Sequence, residues 1–313
     1  MKSPRFAVAA AVALALASAP AAPQPPPRPA DRPAPDVADA SYGPHPRNVL
    51  DLWKAKSAKP APLVIFIHGG GFQQGDKGQV PAALLRPSLA AGFSVASINY
   101  RLTSMAPFPA PMLDGVRAIQ FLRSRAGGWN LDPTRFASCG TSAGAGISLW
   151  AAFHDDLAQR DSSDPVERQS SRLACVGAWG GQSSYDPRFI RQHVGGSDIS
   201  HSALLAFYGL PREDFDTPKA HALFEAASPI NYLTADDPPV FLFYGEDPPV
   251  PLPADAPEGV VIHHSQLGVV LKQKMEALGI RCELRKIAGA GADRRDKAYA
   301  EMVGLFGECF RRP

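Results

Sequence analysis

The chain has 313 residues, of which 45% are hydrophobic and 20% are charged, a composition typical of a globular protein with a substantial core. Its formal net charge is only +2. So small a charge excludes a global electrostatic field that would draw the chain to nucleic acid or to an anionic membrane.

Residues 1–21 predict a secretory signal peptide. Lys2 and Arg5 precede an uncharged run over residues 6–17, and small residues flank Pro20 at a cleavage site. The run is too short to span a membrane comfortably and Pro20 interrupts it, so we favour a cleaved signal peptide over an uncleaved anchor. The expectation is a secreted or periplasmic protein with no stable membrane insertion after cleavage.

Residues 22–41 predict a proline-rich linker. Half of the residues from 20 to 35 are proline, and a stretch that lacks so many N–H donors builds neither a helix nor a sheet ladder. We interpret it as an extended spacer, with a proline-rich ligand for a partner module as the alternative. The folded domain is then expected over residues 42–313.

Beyond the linker, apolar runs alternate with helical patterns. Near-continuous apolar runs are typical of parallel strands covered on both faces, and they lie at residues 63–67, 94–100, 135–139, 173–179, 240–244 and 281–287. Helical patterns cover residues 112–125, 145–152 and 267–278, and a last one carries Ala298, Met302, Leu305 and Cys309. The alternation predicts an α/β fold with a mainly parallel sheet.

Two stretches interrupt this alternation. Residues 155–171 are polar and predict a surface excursion. Residues 182–237 are long and rich in aromatic residues and proline, and a segment of that length between core strands predicts a cap or lid.

The cysteines are too few for a disulfide scaffold in a chain of this length. Cys139 and Cys175 lie in apolar segments and are interpreted as buried hydrophobic residues. Cys282 and Cys309 fall on the last predicted strand and helix, where export would allow a bridge between them.

Two glycine-rich segments, each after an apolar strand, carry the chemistry. Residues 68–72 read His-Gly-Gly-Gly-Phe and can offer backbone N–H groups to an oxyanion. Residues 140–144 read Gly-Thr-Ser-Ala-Gly and can present Ser142, the candidate nucleophile, on a sharp strand-to-helix turn. Either segment alone is a weak signal, but together they favour an acyl-transfer site over two unrelated turns. The assigned oxyanion donors are the N–H groups of Gly70, Gly71 and Ala143.

These segments resemble the α/β-hydrolase fold, specifically the hormone-sensitive-lipase-like esterases and the related secreted carbohydrate-ester esterases. The similarity continues at residues 130–133 (Asn-Leu-Asp-Pro), 228–232 (Ser-Pro-Ile-Asn-Tyr) and 237–240 (Asp-Pro-Pro-Val), and spans roughly residues 48–310. The resemblance implies a mainly parallel sheet flanked by helices, with a cap insertion. It also implies that His68 orders the oxyanion loop and is not the base.

The resemblance implies an acid after a strand, in the pattern Gly-x-x-Asp-x-x-Val-Pro. Residues 245–251 read Gly-Glu-Asp-Pro-Pro-Val-Pro, with one residue fewer between Gly and Asp. Asp247 is therefore the candidate acid, with Glu246 as the fallback. The alternative for Asp247 is a loop carboxylate that caps a turn.

The base of the family follows the last strand as Gly-x-Gly-His, but residues 289–292 read Gly-Ala-Gly-Ala. Ala292 cannot accept the proton of the serine. His263 and His264 keep the order serine, acid, histidine, and residues 252–261 could carry them to the cleft. We take His264 as the base, with a solvated helix start as the alternative. Weaker candidates are His154 and, in the predicted cap, His193, His201 and His221.

The sequence thus predicts an exported serine hydrolase that acts on carboxylic esters through an acyl-enzyme on Ser142. The expected substrate is a small-molecule or carbohydrate ester, and the resemblance implies acetyl or feruloyl groups on plant polysaccharides. No metal or nucleotide motif appears, so no cofactor is implied, and no nucleic-acid partner is expected. The alternative is a degenerate relative that binds an ester or a glycan without turnover, which Ala292 supports. An amidase or peptidase is weaker still.

Overall fold

The computed structural model describes residues 32–289 and 291–311, with the backbone alone at residues 291 and 292. The predicted signal peptide and residues 22–31 of the predicted linker lie outside the described residues. Within the described part, an eight-stranded sheet is covered by helices on both faces. None of the helices described is long and apolar enough to cross a membrane.

The sheet is parallel except at one edge. Its strands are β1 (Val37–Ser41), β2 (Val49–Trp53), β3 (Ala61–Ile67), β4 (Ser94–Ile98), β5 (Leu131–Thr141), β6 (Cys175–Trp179), β7 (Val240–Tyr244) and β8 (Cys282–Lys286). They lie in the order β1-β2-β4-β3-β5-β6-β7-β8, and only the β1–β2 and β2–β4 pairs are antiparallel. The six predicted strands are confirmed. The structure adds β1 and β2, and β1 lies inside the range predicted as linker, so regular structure begins before residue 42.

Most helices fill the crossovers between parallel strands. They are α1 (Ala82–Ala90), α2 (Ala110–Ser124), α3 (Ala126–Trp129), α4 (Ala143–Phe153), α5 (Pro187–His193), α6 (Ala203–Tyr208), α7 (Pro218–Ala227), α8 (Glu258–Ile262), α9 (Gln266–Ala277) and α10 (Gly291–Phe310). The predicted helices correspond to α2, α4, α9 and α10. The polar residues 155–171 form turns and bends at the surface, as expected.

The two faces of the sheet bury different side chains of the same strands. Along β3, Leu63, Ile65 and Ile67 join the core that contains α2, α4 and α9, whereas Val64 and Phe66 join the core beneath α1 and α10. Parallel strands covered on both faces bury every residue, which is why they read as unbroken apolar runs. The carboxyl ends of β3, β5 and β6 lie side by side, and the loops that leave this edge build the site.

The segment between β6 and β7, predicted as a cap over residues 182–237, carries α5, α6 and α7. Its aromatic residues pack against the loop that follows β3. The ring of Phe72 stacks on Phe207 at 4.3 Å and meets the ring of Tyr185 edge-on at 5.6 Å. The segment therefore packs against one side of the glycine-rich loop that follows β3.

The four cysteines are buried and none of them forms a disulfide. The bridge considered between Cys282 and Cys309 is absent from the structure. All four thiols instead pack as small apolar groups, as was expected for Cys139 and Cys175.

Candidate active site

Ser142 lies on the sharp turn between β5 and α4, at φ 50° and ψ −118°. Its N–H donates to the carbonyl oxygen of Trp179 at 2.9 Å. A Cβ at Gly144 would lie 2.1 Å from the carbonyl oxygen of Ile67, and a Cβ at Gly140 would lie 2.5 Å from backbone. Only glycine fits at both positions, so the turn can hold its strained serine.

His68 is buried and orders the loop after β3. Burial lowers the pKa of His68 to about 4, so its ring is neutral. Nδ1 donates to the carbonyl oxygen of Gly69 at 2.8 Å, and Nε2 accepts from Nη2 of Arg47 at 3.3 Å. The ring also stacks on Tyr100 at 4.3 Å. With both ring nitrogens engaged, His68 cannot serve Ser142 as a base.

The glycines assigned to the oxyanion line a cavity of about 700 Å³ together with Ser142 and Ala143. Gly70 has φ 108° and Gly71 has φ 60°, a region that favours glycine. A Cβ at Gly70 would lie 2.2 Å from the carbonyl oxygen of Gln74. The loop can therefore keep its backbone beside the serine only with glycine at this position.

His263 supplies the ring nitrogen that reaches Ser142, with 2.8 Å between Nε2 and Oγ. His263 directly follows α8, and its Nδ1 donates back to the carbonyl oxygen of Gly259 at 2.8 Å. This bond keeps the proton on Nδ1, so Nε2 can accept from the serine hydroxyl. The ring covers Gly180, where a Cβ would lie 3.3 Å from Cδ2 of the histidine.

The surroundings of His263 favour its neutral form. Burial lowers the pKa of the ring below its usual value, and the nearby His201 lowers it further. The carbonyl of Gly259 acts in the opposite direction and does not cancel the effect of burial. The ring is therefore an available proton acceptor at neutral pH.

His264, the histidine chosen from the sequence, does not meet Ser142, which is a correction. Its Nε2 donates to the carbonyl oxygen of Pro248 at 2.9 Å, and its Nδ1 accepts from the N–H of Gln266 at 3.0 Å. The ring is buried and both nitrogens are engaged. α8 ends at Ile262, directly before the two histidines, and the ring of His263 turns back to the carbonyl of Gly259 while the ring of His264 points to the Pro248 loop.

Asp247 forms no hydrogen bond with His264, the base chosen from the sequence, or with His263, so the predicted acid–base pairing is also corrected. Its Oδ2 accepts from the N–H of Ser265 at 3.0 Å and lies 3.8 Å from Nζ of Lys286. This loop is one residue shorter than the family pattern, and its carboxylate meets the backbone two residues after His263. Glu246, the fallback, is an exposed residue of the cavity wall with no histidine partner in the described part of the chain.

Ala292 lies in the first turn of α10, and its side chain is outside the described residues. The same turn continues into Arg294 and Arg295, and both of these line the cavity. The corner where the family pattern has its histidine is therefore occupied in this chain by two cations.

Gln182 is a residue of the site that the sequence did not single out. Its buried Nε2 donates to the carbonyl oxygens of Gly180 at 2.8 Å and Ile262 at 3.0 Å, and its Oε1 accepts from the hydroxyl of Tyr185 at 3.2 Å. The amide thus ties the loop after β6 to the residue before His263. A polar residue directly after a glycine pair at the end of a buried strand was the available signal.

The site has the groups for acyl transfer by a serine and lacks an obvious metal centre. Across residues 32–289 and 291–311 there is no group of three histidine, cysteine or carboxylate side chains that could hold a metal ion. A serine hydroxyl bonded to a neutral histidine, beside glycine N–H groups, is an arrangement suited to nucleophilic catalysis.

Comparisons with known proteins find esterases among the similar chains. Esterase LipQ of Mycobacterium tuberculosis is 30% identical over 228 residues, which are 70% of this chain and 51% of that protein. A probable isoprenylcysteine alpha-carbonyl methylesterase of Arabidopsis thaliana is 28% identical over 234 residues, 74% of this chain and 48% of its own length. The chain spans about half the length of the curated relatives it matches.

Solved structures share the fold. A truncated carbohydrate esterase from gut microbiota superposes with a TM-score of 0.70 at 23% identity, over 88% of this chain and 96% of its own. A bacterial heroin esterase superposes with a TM-score of 0.64 at 20% identity, over 87% and 83% of the two chains. The model of the BD-FAE family matches residues 50–255. That match covers more than half of the sequence, and the chain accordingly belongs to the BD-FAE family, with the α/β-hydrolase fold that its resemblance to esterases implied.

Proposed function

We propose that the protein is a carboxylic ester hydrolase in which Ser142 is the nucleophile and His263 is the general base. The observation that carries the proposal is the 2.8 Å hydrogen bond between Oγ of Ser142 and Nε2 of His263. The relatives in Mycobacterium tuberculosis and the structural neighbours are named as esterases, which supports carboxylic esters as the substrate class.

The reaction follows from the positions of these groups. Oγ attacks the acyl carbon while Nε2 of His263 takes the serine proton, and the carbonyl oxygen becomes an oxyanion that faces the N–H groups of the glycine loop and Ala143. His263 then protonates the leaving alkoxide, which departs as the alcohol and leaves an acyl-enzyme. Water, deprotonated by the same nitrogen, releases the acid and restores Ser142.

A backbone carbonyl takes the place of the acid in this mechanism. The oxygen of Gly259 fixes the Nδ1–H tautomer of His263 and accepts a hydrogen bond from the imidazolium that forms. A neutral carbonyl stabilises the imidazolium less than a carboxylate would. The arrangement therefore favours esters over amides, since an alkoxide leaves more easily than an amine and depends less on a strong acid.

The Ser142–His263 contact also argues against the non-catalytic alternative. A protein that only binds an ester needs neither a strained serine nor a histidine of fixed tautomer aimed at it. A structural neighbour is named as a carbohydrate esterase, which supports a small-molecule or carbohydrate ester as the substrate. Export through residues 1–21 stays a prediction.

The proposal is tested by alanine variants at three positions. His263→Ala should lower kcat for p-nitrophenyl acetate by at least about 10²- to 10⁴-fold, the range of general acid–base catalysis. Ser142→Ala should lower kcat by up to about 10⁶-fold, as expected for loss of a serine nucleophile. Ser142→Ala should also abolish labelling by a fluorophosphonate. His264→Ala is the matched control, because that neighbour does not contact Ser142.

The His264→Ala variant should keep kcat within about threefold of the wild type. It loses the hydrogen bonds of His264, which lowers its stability, so kcat is measured well below its unfolding temperature. If a folded His263→Ala variant retained full activity while His264→Ala lost it, the assignment of the base would be refuted. Labelling of the Ser142→Ala variant would refute the nucleophile.

A further inference from the structure

The cavity that holds Ser142 and His263 also holds two arginines. Arg294 and Arg295, in the first turn of α10, contribute to its wall. Nothing in the mechanism proposed above uses a cation at this corner. The contacts of the two arginines indicate what this cationic corner of the cavity can bind.

Arg294 is held in a slot beside the nucleophile. Its guanidinium lies over the ring of Trp179, 5.6 Å from the ring centre. The guanidinium also lies against Gly245, where a Cβ would lie 2.4 Å from Nη1 of Arg294. The carbonyl of Trp179 accepts from the N–H of Ser142. Trp179 therefore contacts both the guanidinium of Arg294 and the backbone of the nucleophile.

The guanidinium of Arg294 has no anionic partner within the described part of the chain. Its Nε is buried without a hydrogen-bond acceptor, and neither Arg294 nor Arg295 forms an ion pair with a described residue. Other arginines, such as Arg101 with Asp114, are paired with carboxylates. A buried donor without an acceptor costs free energy that an anion in the cavity would recover.

The acidic groups of the same wall do not neutralise this corner. Asp247 accepts from the N–H of Ser265 and lies 3.8 Å from Nζ of Lys286. Glu246 is exposed and makes no ion pair with a described arginine. The two histidines that line the cavity, His201 and His263, bring no negative charge. The corner at Arg294 is therefore cationic.

We propose that Arg294, assisted by Arg295, binds a carboxylate of the substrate, so that the preferred esters carry a free carboxylate in their acyl or alcohol part. The proposal deepens the esterase function proposed above and rests on it. A planar guanidinium with free donors matches a carboxylate in a bidentate geometry, whereas a neutral ester leaves these donors unpaired.

The test uses two pairs of esters that differ in one charge. The first pair is 4-acetoxybenzoate and its methyl ester, with the charge on the alcohol part. The second is monophenyl succinate and phenyl butyrate, with the charge on the acyl part. The wild type should show at least a tenfold higher kcat/KM for the anion of one pair, and the pair that responds identifies the side of the ester that Arg294 binds.

Variants then assign the preference to the arginine. Arg294→Ala and Arg294→Gln should each lower the ratio of kcat/KM between anion and neutral ester by tenfold or more, through a higher KM for the anion. Lys297→Ala is the matched control, because Lys297 is a cation one turn further along α10 that pairs with Asp293 outside the cavity. The control should keep the wild-type ratio.

A wild type that shows no preference in either pair, or a folded Arg294 variant that keeps it, would overturn the proposal. Calorimetric binding to Ser142→Ala separates this failure from that of the esterase function. Arg294-dependent binding of the anions without any turnover in the wild type would support the carboxylate site and reject the esterase. Equal turnover and equal binding of both members of each pair would support the esterase and reject the carboxylate site.

Discussion

Burial of the His263 ring sets the pH range in which it can act as a base. Its pKa lies below the usual 6.5, and only the neutral ring can take the proton of Ser142. The value of kcat/KM should therefore rise with pH through a midpoint below 6.5 and stay constant at neutral pH, measured with p-nitrophenyl acetate between pH 4 and 8. His201→Ala removes a group that lowers this pKa, so it should move the midpoint upward.

A midpoint above 7 would show that a carboxylate stabilises the imidazolium after all. In that case the carbonyl of Gly259 could not be the principal partner of the His263 imidazolium.

Asp247 should matter far less here than the aspartate of a serine–histidine–aspartate triad. Because its carboxylate accepts from the N–H of Ser265 and not from the imidazole, Asp247→Asn keeps an acceptor for this bond. We expect kcat to fall by less than about tenfold, against about 10⁴-fold where the aspartate binds the imidazole directly. Asp247→Ala removes the acceptor and should cost more than Asp247→Asn, because the backbone beside His263 loses its anchor.

Steady-state kinetics of both variants distinguish the two roles. A loss of 10³-fold or more in Asp247→Asn, with the fold intact by circular dichroism, would return the aspartate to direct contact with the base.

The choice between His263 and His264 could not be made from the sequence. Both follow the same apolar segment, and adjacent side chains leave the backbone in different directions, so only the exact end of α8 decides which ring faces the serine. The orienting group could not be found either, because the carbonyl of Gly259 is backbone and leaves no mark on residue types. The serine turn and the loop after β3 were predictable because their backbone geometry requires glycines at fixed positions, and these glycines are visible in the sequence.

The first turn of α4 packs against the end of β3 at Gly144, where only glycine fits. A Cβ at Gly144 would lie 2.1 Å from the carbonyl oxygen of Ile67 and 2.5 Å from that of His68, and neither backbone atom can move freely. Gly144→Ala should therefore lower the free energy of unfolding by at least about 3 kcal/mol, measured by urea titration.

Gly304→Ala provides the control for this substitution. Gly304 lies on the exposed side of α10, and nothing would come within 4 Å of its Cβ, so alanine should raise the free energy of unfolding by up to about 1 kcal/mol. Equal stability of the Gly144→Ala variant and the wild type would contradict the close approach of the two elements.

The elements that the sequence predicted are those with strong patterns. β3, β5, β6 and β7 are buried in the middle of the sheet and read as apolar runs. β1 reads Val-Ala-Asp-Ala-Ser and pairs only at an exposed edge, so its residues carry no pattern of burial. α1 was missed because it contains Pro87, which normally marks a helix boundary.

The whole molecule keeps its four thiols away from solvent. Burial raises the pKa of Cys282 to about 12 and that of Cys139 further, so neither is a thiolate at neutral pH. The folded protein should react with none of its cysteines when treated briefly with Ellman's reagent, and with all four in denaturant without reductant. Only two reactive thiols in denaturant would reveal a disulfide.

The bond between His263 and the carbonyl oxygen four residues before it keeps the proposed base and its orienting group within one short segment of the chain. In the proposed mechanism the orientation of the base depends on α8 and not on a carboxylate that follows another strand. The loop after β8 is then released from proton transfer and free to acquire other chemistry. In the proposed mechanism the position of Ala292 therefore needs no histidine.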